Sequence, residues 1–250
     1  MNVDAPLRRR RSDIRVLALL DASRHSLAAL QAAVELAAQR RAELVALYVE
    51  DQDLVHSAQF PFSREVGARS GLARPLSPAQ MEATLARQLQ RATLALEAAV
   101  AGRGLAHSLQ VSRGRVVNAA LALAGPGDLL VLGKAGLSAH CGGARLGSNC
   151  RALILQAPCT VLIHDERHPP RKGPLRVLSE PVPEELLALP LCDRVERLHL
   201  HDALSLEHNL AHARSGALLL HRAELRQLVG EDPDLLARIP VPVIVVPDPR

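Results

Sequence analysis

Short apolar runs alternate with longer amphipathic stretches along most of this chain. In the first 165 residues, runs of five to seven mainly apolar residues predict buried strands at 14–20, 44–49, 105–111, 128–132 and 159–163. The intervening stretches have apolar residues three and four positions apart, which predicts helices, the longest from Ser77 and Pro78 through residue 100. Strands that alternate with helices favour a parallel sheet with right-handed crossovers, so the expected fold class is α/β.

Two segments whose residues could bind a ligand follow strands that such a fold brings together. Asp21 follows the first predicted strand, and a stretch with five glycines, 133–147, follows the fourth. In a doubly wound five-stranded sheet of order 3-2-1-4-5, the ligand crevice opens between these two strands at their carboxyl ends. Glycines let the backbone approach a ligand, and N–H groups at a helix start favour anions. The pattern predicts a phosphate-binding loop; the alternative is a mobile connection whose glycines only serve turns.

One connection is longer than an ordinary loop. Residues 52–77 include Phe60, Phe62, two glycines and two prolines, and they show neither helical nor strand periodicity. A connection of this length indicates a lid, an interaction segment or disorder.

Composition narrows the classes of function. The 250 residues carry a formal net charge of +4, yet only 1% are aromatic, which leaves little to stack nucleic-acid bases. Part of the basic excess is local, because 8–11 are all arginine within a segment, 1–12, that we expect to be a disordered tail. No apolar segment approaches the roughly 20 residues that span a bilayer. We therefore expect a cytoplasmic protein that binds neither nucleic acid nor membrane.

Four segments together resemble the universal stress protein family over residues 13–165. They are Val16-Leu-Ala-Leu-Leu-Asp-Ala-Ser before an alanine-rich helix, Ala42-Glu-Leu-Val-Ala-Leu-Tyr-Val-Glu-Asp, the glycine-rich loop, and Gln156-Ala-Pro-Cys-Thr-Val-Leu-Ile. The resemblance implies an adenine nucleotide alpha hydrolase-like sheet. In that family the pattern Gly-x2-Gly-x9-Gly-Ser/Thr binds the phosphates and ribose of ATP.

The resemblance also implies which residues bind the nucleotide. Asp21 would meet the ribose or adenine side beside Ala22 and Ser23, and the backbone of Val49 would bind adenine. The loop residues assigned to the phosphates and ribose are Gly133, Gly136, Gly147, Ser148 and Asn149, with Lys134 and Arg145 as additional cations that pair with phosphate or lie in solvent. The implied cofactor is ATP, AMP or ADP, with or without Mg²⁺. Ten residues separate Gly136 from Gly147 where the family has nine, and Ala22 stands where many members have glycine.

Residues 174–250 resemble a degenerate second copy of the same domain. Gly216-Ala-Leu-Leu-Leu-His-Arg-Ala-Glu-Leu aligns with Asp128-Leu-Leu-Val-Leu-Gly-Lys-Ala-Gly-Leu, which puts His221 at the position of Gly133 and Glu224 at that of Gly136. A carboxylate there would repel phosphate, so we expect at most one nucleotide per chain. Residues 241–246 are expected to pair antiparallel with 159–163, as the family pairs final strands between subunits. The chain would then be an intramolecular pseudo-dimer, with a homodimer as a further option.

The expected function is regulatory and not enzymatic. No nucleophile and general base can be assigned roles, so bound ATP or AMP would bias a surface read by an unknown protein partner. The alternative is a nucleotide-free tandem scaffold that acts only through protein–protein interaction, which the extra loop residue and Ala22 favour. No metal site is assigned, because neither the four cysteines nor the histidine pairs, such as His208 and His212, have a complete ligand set.

Overall fold

A computed structural model describes residues 14–67, 70–134, 145–168, 170–200 and 202–248. Its strands are β1 (Arg15–Leu20), β2 (Glu43–Asp51), β3 (Arg64–Val66), β4 (Ala73–Pro75), β5 (His107–Gly114), β6 (Leu129–Gly133), β7 (Thr160–His164), β8 (Gly173–Val177), β9 (Cys192–Arg197), β10 (Ala217–His221) and β11 (Val243–Val246). Its helices are α1 (Arg24–Arg40), α2 (Gln52–Ser57), α3 (Pro78–Val100), α4 (Val116–Leu123), α5 (Ser148–Gln156), α6 (Glu184–Leu187), α7 (Ala203–Leu210), α8 (Arg222–Glu231) and α9 (Leu235–Arg238). The expected tail, 1–12, lies outside the described residues.

One sheet unites the two halves of the chain. Within the described residues, nine strands form it in the order β5-β2-β1-β6-β7-β11-β10-β8-β9. Neighbouring strands are parallel except β7 and β11, which pair antiparallel with Val243 opposite Ile163. The α/β class with a mostly parallel sheet is confirmed, and the last strand pairs where the sequence pattern placed it.

Helices cover both faces of the sheet, as in a doubly wound fold. On one face, α1, α3 and α6 bury apolar side chains such as Leu30, Leu96 and Leu186. On the other face, α4, α5, α7, α8 and α9 form a second cluster that runs across the β7–β11 seam. Because the inner strands of the sheet are covered on both sides, their residues are almost continuously apolar, which explains the short apolar runs in the sequence.

The connection 52–77 is more regular than its sequence indicated. It contains α2 and a small antiparallel hairpin, in which Arg64 of β3 lies opposite Pro75 of β4. Strands of three residues are too short to show periodicity, so the pattern missed them. The rings of Phe60 and Phe62 stack in the turn before the hairpin, with centroids 5.4 Å apart.

None of the helices in the described part of the chain has the length and hydrophobicity that crossing a membrane requires.

Candidate functional site

A cleft of about 360 Å³ opens at the carboxyl ends of β1, β2 and β6. The parallel pairings of β1 with β2 and with β6 bring these three strand ends to one edge of the sheet. Six of the residues that the sequence pattern singled out line this cleft, namely Asp21, Val49, Gly133, Gly147, Ser148 and Asn149. The turn after the first strand and the start of α5 therefore face a common space.

The turn after β1 is held by a chain of local hydrogen bonds. The Ser23 N–H donates to Oδ1 of Asp21 at 2.9 Å, and the Ser23 hydroxyl accepts from the Ser26 N–H at 3.1 Å to cap α1. Ala22, between them, has φ of +57°, a left-handed conformation that costs an L-residue energy. Ala22 and Ser23 are not among the cleft-lining residues, so their part in the site is to orient Asp21.

Gly133 is required by packing as well as by the cleft. A Cβ at this position would lie 2.7 Å from both the carbonyl carbon and oxygen of His25, in the first turn of α1. No side chain fits at that distance from backbone atoms. The glycine at the end of β6 thus lets α1 begin close to the sheet, beside Asp21.

The start of α5 forms another wall of the cleft. Gly147 precedes the helix, and its N–H donates to the Lys134 carbonyl at 3.1 Å, which ties the helix start to the end of β6. The N–H groups in the first turn of a helix lack intrahelical partners and favour an anion. Ser148 and Asn149 are exposed at this point. Gly136 falls in 135–144, outside the described residues.

Lys134 does not reach the cleft. Its Nζ lies 3.3 Å from Oδ2 of Asp165 and also donates to the Ile239 carbonyl, and only 4% of the side chain is exposed. Burial lowers the pKa of Lys134 from its ordinary value. Burial by itself would raise the pKa of Asp165, but the hydrogen bond with His168 and the charge of Lys134 hold that pKa well below its usual range. Lys134 and Asp165 therefore form a buried ion pair that links β6 to β7 and the second half.

Arg145 is directed to the second half as well. Its Nε lies 3.8 Å from Oδ2 of Asp234, and the arginine side chain is mostly exposed. Neither Arg145 nor Lys134 is among the residues that line the cleft. The expectation that these two cations pair with phosphate therefore has no support in the geometry of their side chains.

Several cleft residues carry no motif and were missed by sequence reasoning. Tyr48 lines the cleft and donates from its hydroxyl to the Leu85 carbonyl at 3.2 Å. Burial raises the pKa of Tyr48 to about 12, and the charges of Glu50 and Asp21 act in the same direction. The other missed residues include Leu54 of α2 and Leu85 and Gln88 of α3. The three-residue spacing of Leu85 and Gln88 puts both on one helix face, the only sequence signal that could have found them.

The described walls of the cleft carry negative charge. Asp21 and Asp51 line the cleft, and no basic side chain lies among its described lining residues. Anion binding there would depend on N–H groups and hydroxyls. The Cys150 thiol, which also lines the cleft, has its pKa raised to about 12 by burial, which disfavours the nucleophilic thiolate. Among the described residues, no group of three or more His, Cys, Asp or Glu side chains is placed to hold a metal ion.

Comparisons with known proteins identify relatives of the fold. Residues 15–164 match the sequence model of the universal stress protein family. No curated protein matches the chain significantly in sequence. A universal stress protein from Archaeoglobus fulgidus is similar in structure over 94% of this chain and 98% of its own, with a TM-score of 0.56 and 15% identity.

Two shorter matches cover about three fifths of this chain. The universal stress protein UspA from Lactobacillus plantarum covers 60% of this chain and 96% of its own, with 21% identity and a TM-score of 0.43. A universal stress protein in complex with cAMP covers 62% of this chain and 98% of its own, with 23% identity and a TM-score of 0.37. At 15% identity, the match to the Archaeoglobus fulgidus protein establishes likeness of fold alone.

Proposed function

This chain belongs to the universal stress protein family, and from that premise we propose that its cleft binds one adenine nucleotide, ATP or AMP, and that it acts as a regulatory protein. One observation carries the proposal. Asp21 at the end of β1 and the Gly147 turn at the start of α5 face one cleft of about 360 Å³, a volume within the range of small-molecule sites.

The shape of the cleft suggests how a nucleotide would lie. Tyr48 and Val49, at the end of β2, are the apolar side and suit the adenine ring. Asp21 suits a ribose hydroxyl, because a carboxylate accepts hydrogen bonds from it. The N–H groups of Ser148 and Asn149 suit phosphate oxygens. Mg²⁺ on the phosphates would offset the negative charge of Asp21 and Asp51, whereas AMP, with one phosphate, needs less compensation.

We infer that the bound nucleotide acts on a partner surface and that the protein is not an enzyme. Leu54 of α2 lines the cleft, and the chain continues from α2 into the turn that carries Phe60 and Phe62. These rings are 52% and 78% exposed. A ligand that orders α2 would therefore change the adjoining exposed apolar surface. Protein partners recognise surfaces of this kind.

We propose that residues 174–250 are a degenerate second copy of the family domain. Their strands run β11-β10-β8-β9 outward from the seam, which mirrors β7-β6-β1-β2 on the other side. The corresponding strands in the two halves pair in the same way: β1 is parallel to β6, and β8 is parallel to β10. The antiparallel β7–β11 contact would then be a dimer interface contained in one chain.

The alternative function is a nucleotide-free scaffold that acts by protein contact alone. Two observations favour it: the exposed Phe60 and Phe62 pair, and the lack of a basic side chain among the described residues of the cleft. Under this alternative the cleft has no ligand, but the partner surface on 52–77 is the same.

Calorimetry distinguishes the two functions. Purified full-length protein would be titrated with ATP, ADP and AMP, with and without Mg²⁺, beside Asp21→Ala and Gly147→Val. Gly127→Val is the matched control, since a Cβ at Gly127 meets nothing within 4 Å. We expect one nucleotide per chain for the wild type and the control, and loss of binding in the two cleft variants. No heat from any nucleotide with folded wild type would favour the scaffold.

A further inference from the structure

A second cavity, of about 290 Å³, lies where the two halves of the chain meet. Its walls come from three segments: the connection from β7 to β8, the turn before β10, and the residues that lead into β11. None of its described lining residues also lines the cleft. Residues of both halves therefore build a pocket that no part of the family motif predicts.

The side chains of this pocket are strongly basic. Arg167, His168, Arg171 and Arg214 line it, and no acidic residue is among its described lining residues. Arg167 and His168 both contact Asp165, at 3.6 and 3.0 Å, but this buried carboxylate also neutralises Lys134. Arg171 and Arg214 have no acidic partner within the described part of the chain. The pocket thus has an excess of positive charge that no acidic residue in the described part of the chain compensates.

Hydrogen bonds fix the backbone segments that carry Arg171 and Arg214. The Gly216 N–H donates to the Arg171 carbonyl at 2.8 Å, which ties the turn before β10 to the β7–β8 connection. Gly216 has φ of +80°, and a Cβ there would lie 2.0 Å from the Pro174 carbonyl oxygen, so glycine is required. On the other side of the turn, Nη1 of Arg176 donates to the Ser215 carbonyl at 3.0 Å. Arg171 and Arg214 thus project from two connections that are fixed relative to each other.

We propose that this pocket binds a small phosphate-bearing anion, at a site distinct from the nucleotide cleft. Guanidinium groups pair with phosphate oxygens in a bidentate geometry, which favours a phosphate over a halide. Several guanidinium groups around one pocket also suit the higher charge of a phosphate better than a singly charged carboxylate. Ser215 also lines the pocket. No Phe, Tyr or Trp ring is among the described lining residues, so the phosphate and not a nucleobase is the recognised group. The volume of about 290 Å³ suits a pyrophosphate-sized group.

Calorimetry with inorganic pyrophosphate at fixed ionic strength tests this site in the full chain. The variant is Arg171→Gln combined with Arg214→Gln, since both side chains are exposed and their replacement leaves the core intact. The matched control is Arg87→Gln combined with Arg91→Gln on α3, which removes the same charge from another exposed surface. Gly147→Val is included because it blocks the phosphate-facing turn of the cleft.

The proposal makes a separate forecast for each protein. Wild type, control and Gly147→Val bind pyrophosphate with affinities within about twofold of one another, and the pocket variant loses at least about tenfold, as expected for lost charge-assisted hydrogen bonds. An unchanged melting temperature shows that the pocket variant is folded. Absence of wild-type binding, an equal loss in the Arg87/Arg91 control, or a loss confined to Gly147→Val would each overturn the proposal.

Discussion

The carboxyl ends of β1 and β6 contrast with those of β8 and β10. Both are parallel neighbouring pairs in the same sheet. The first pair borders the cleft, with Gly133 ending β6. The second pair ends at His221, which is only 5% exposed, and Glu224 accepts hydrogen bonds there from the His221 N–H and the Ser179 hydroxyl. Side chains that bond to one another stand where the first half leaves room for a ligand.

The second half uses its helix start for internal support. Arg222, the first residue of α8, donates through Nε and Nη2 to the carbonyls of Ile154 and Ala157 in the first half. Burial lowers the pKa of Arg222 from its ordinary value, yet two carbonyl partners hold its charge. These carbonyls lie at the end of α5, whose start faces the cleft. The same arrangement of strands therefore either leaves a cleft open or forms internal contacts, according to a few side chains at the strand ends.

The largest expected effect concerns the ion pair that joins the halves. Lys134→Met leaves the buried Asp165 carboxylate without its buried ammonium partner, and we expect a loss of about 3–5 kcal/mol in the free energy of unfolding. Urea denaturation measures this loss. Arg145→Met is the control, because its exposed pair with Asp234 is worth about 0–1 kcal/mol. Similar effects of both variants would contradict the structural role of the buried pair.

A pH dependence follows from the depressed pKa of Asp165. Because its folded pKa lies below the unfolded value of about 3.9, its contribution to stability is complete above that value and is lost as the pH falls through the folded pKa. Asp165→Asn should therefore lose about 2–3 kcal/mol near neutral pH and depend less on pH between about 5 and 2. Denaturant midpoints across that range measure it. Parallel acid profiles for wild type and variant would rule it out.

Gly133→Ala tests the close packing at the first pair of strand ends. Its Cβ would collide with the backbone of His25, so we expect a loss of about 1–3 kcal/mol together with weaker nucleotide binding. In the second half, Gly230→Ala in α8 meets nothing within 4 Å and should stabilise by about 0.5 kcal/mol. Chemical denaturation of both variants gives the comparison. Effects of the same sign would show that Gly133 is not sterically required.

The smallest effect is expected at Ala22. Its left-handed conformation costs about 1–2 kcal/mol, and glycine avoids this cost while losing about 0.5–1 kcal/mol through its more flexible unfolded chain. Ala22→Gly should therefore stabilise the protein by about 0.5–1 kcal/mol. Ala28→Gly, inside α1, should instead lose about 1 kcal/mol. Thermal melts compare the two, and a loss of stability in Ala22→Gly would contradict the assigned strain.

The sequence predicted best the positions of residues that lie directly at the end of a strand. The α/β class came from alternating apolar runs, and the placement of Asp21 and Gly133 at one edge followed from the parallel order of their strands. Side-chain direction was less predictable. Lys134 follows Gly133 in the sequence, but its orientation depends on Asp165 and on the Ile239 carbonyl, 105 residues away.

The missed parts of the site come from packing between distant segments. Tyr48 joins the cleft because α3 lies over β2 and Leu85 offers a carbonyl to its hydroxyl. The basic pocket combines the three segments around Arg167, Arg214 and Pro240, none of which forms a motif alone. Local periodicity predicts elements, whereas these contacts depend on how the two halves meet.

The nucleotide proposal is tested most directly at Tyr48, the single tyrosine of the chain, which lines the cleft. Protein with ¹³C-labelled tyrosine rings gives NMR signals from this residue alone during titration with AMP or ATP. We predict that the ring signals shift and saturate at one nucleotide per chain, and that Gly147→Val abolishes the shift. If calorimetry shows saturation by nucleotide while the Tyr48 signals stay unchanged, the nucleotide binds outside the cleft and the account is contradicted. It is equally contradicted if the signals stay unchanged and calorimetry shows no binding.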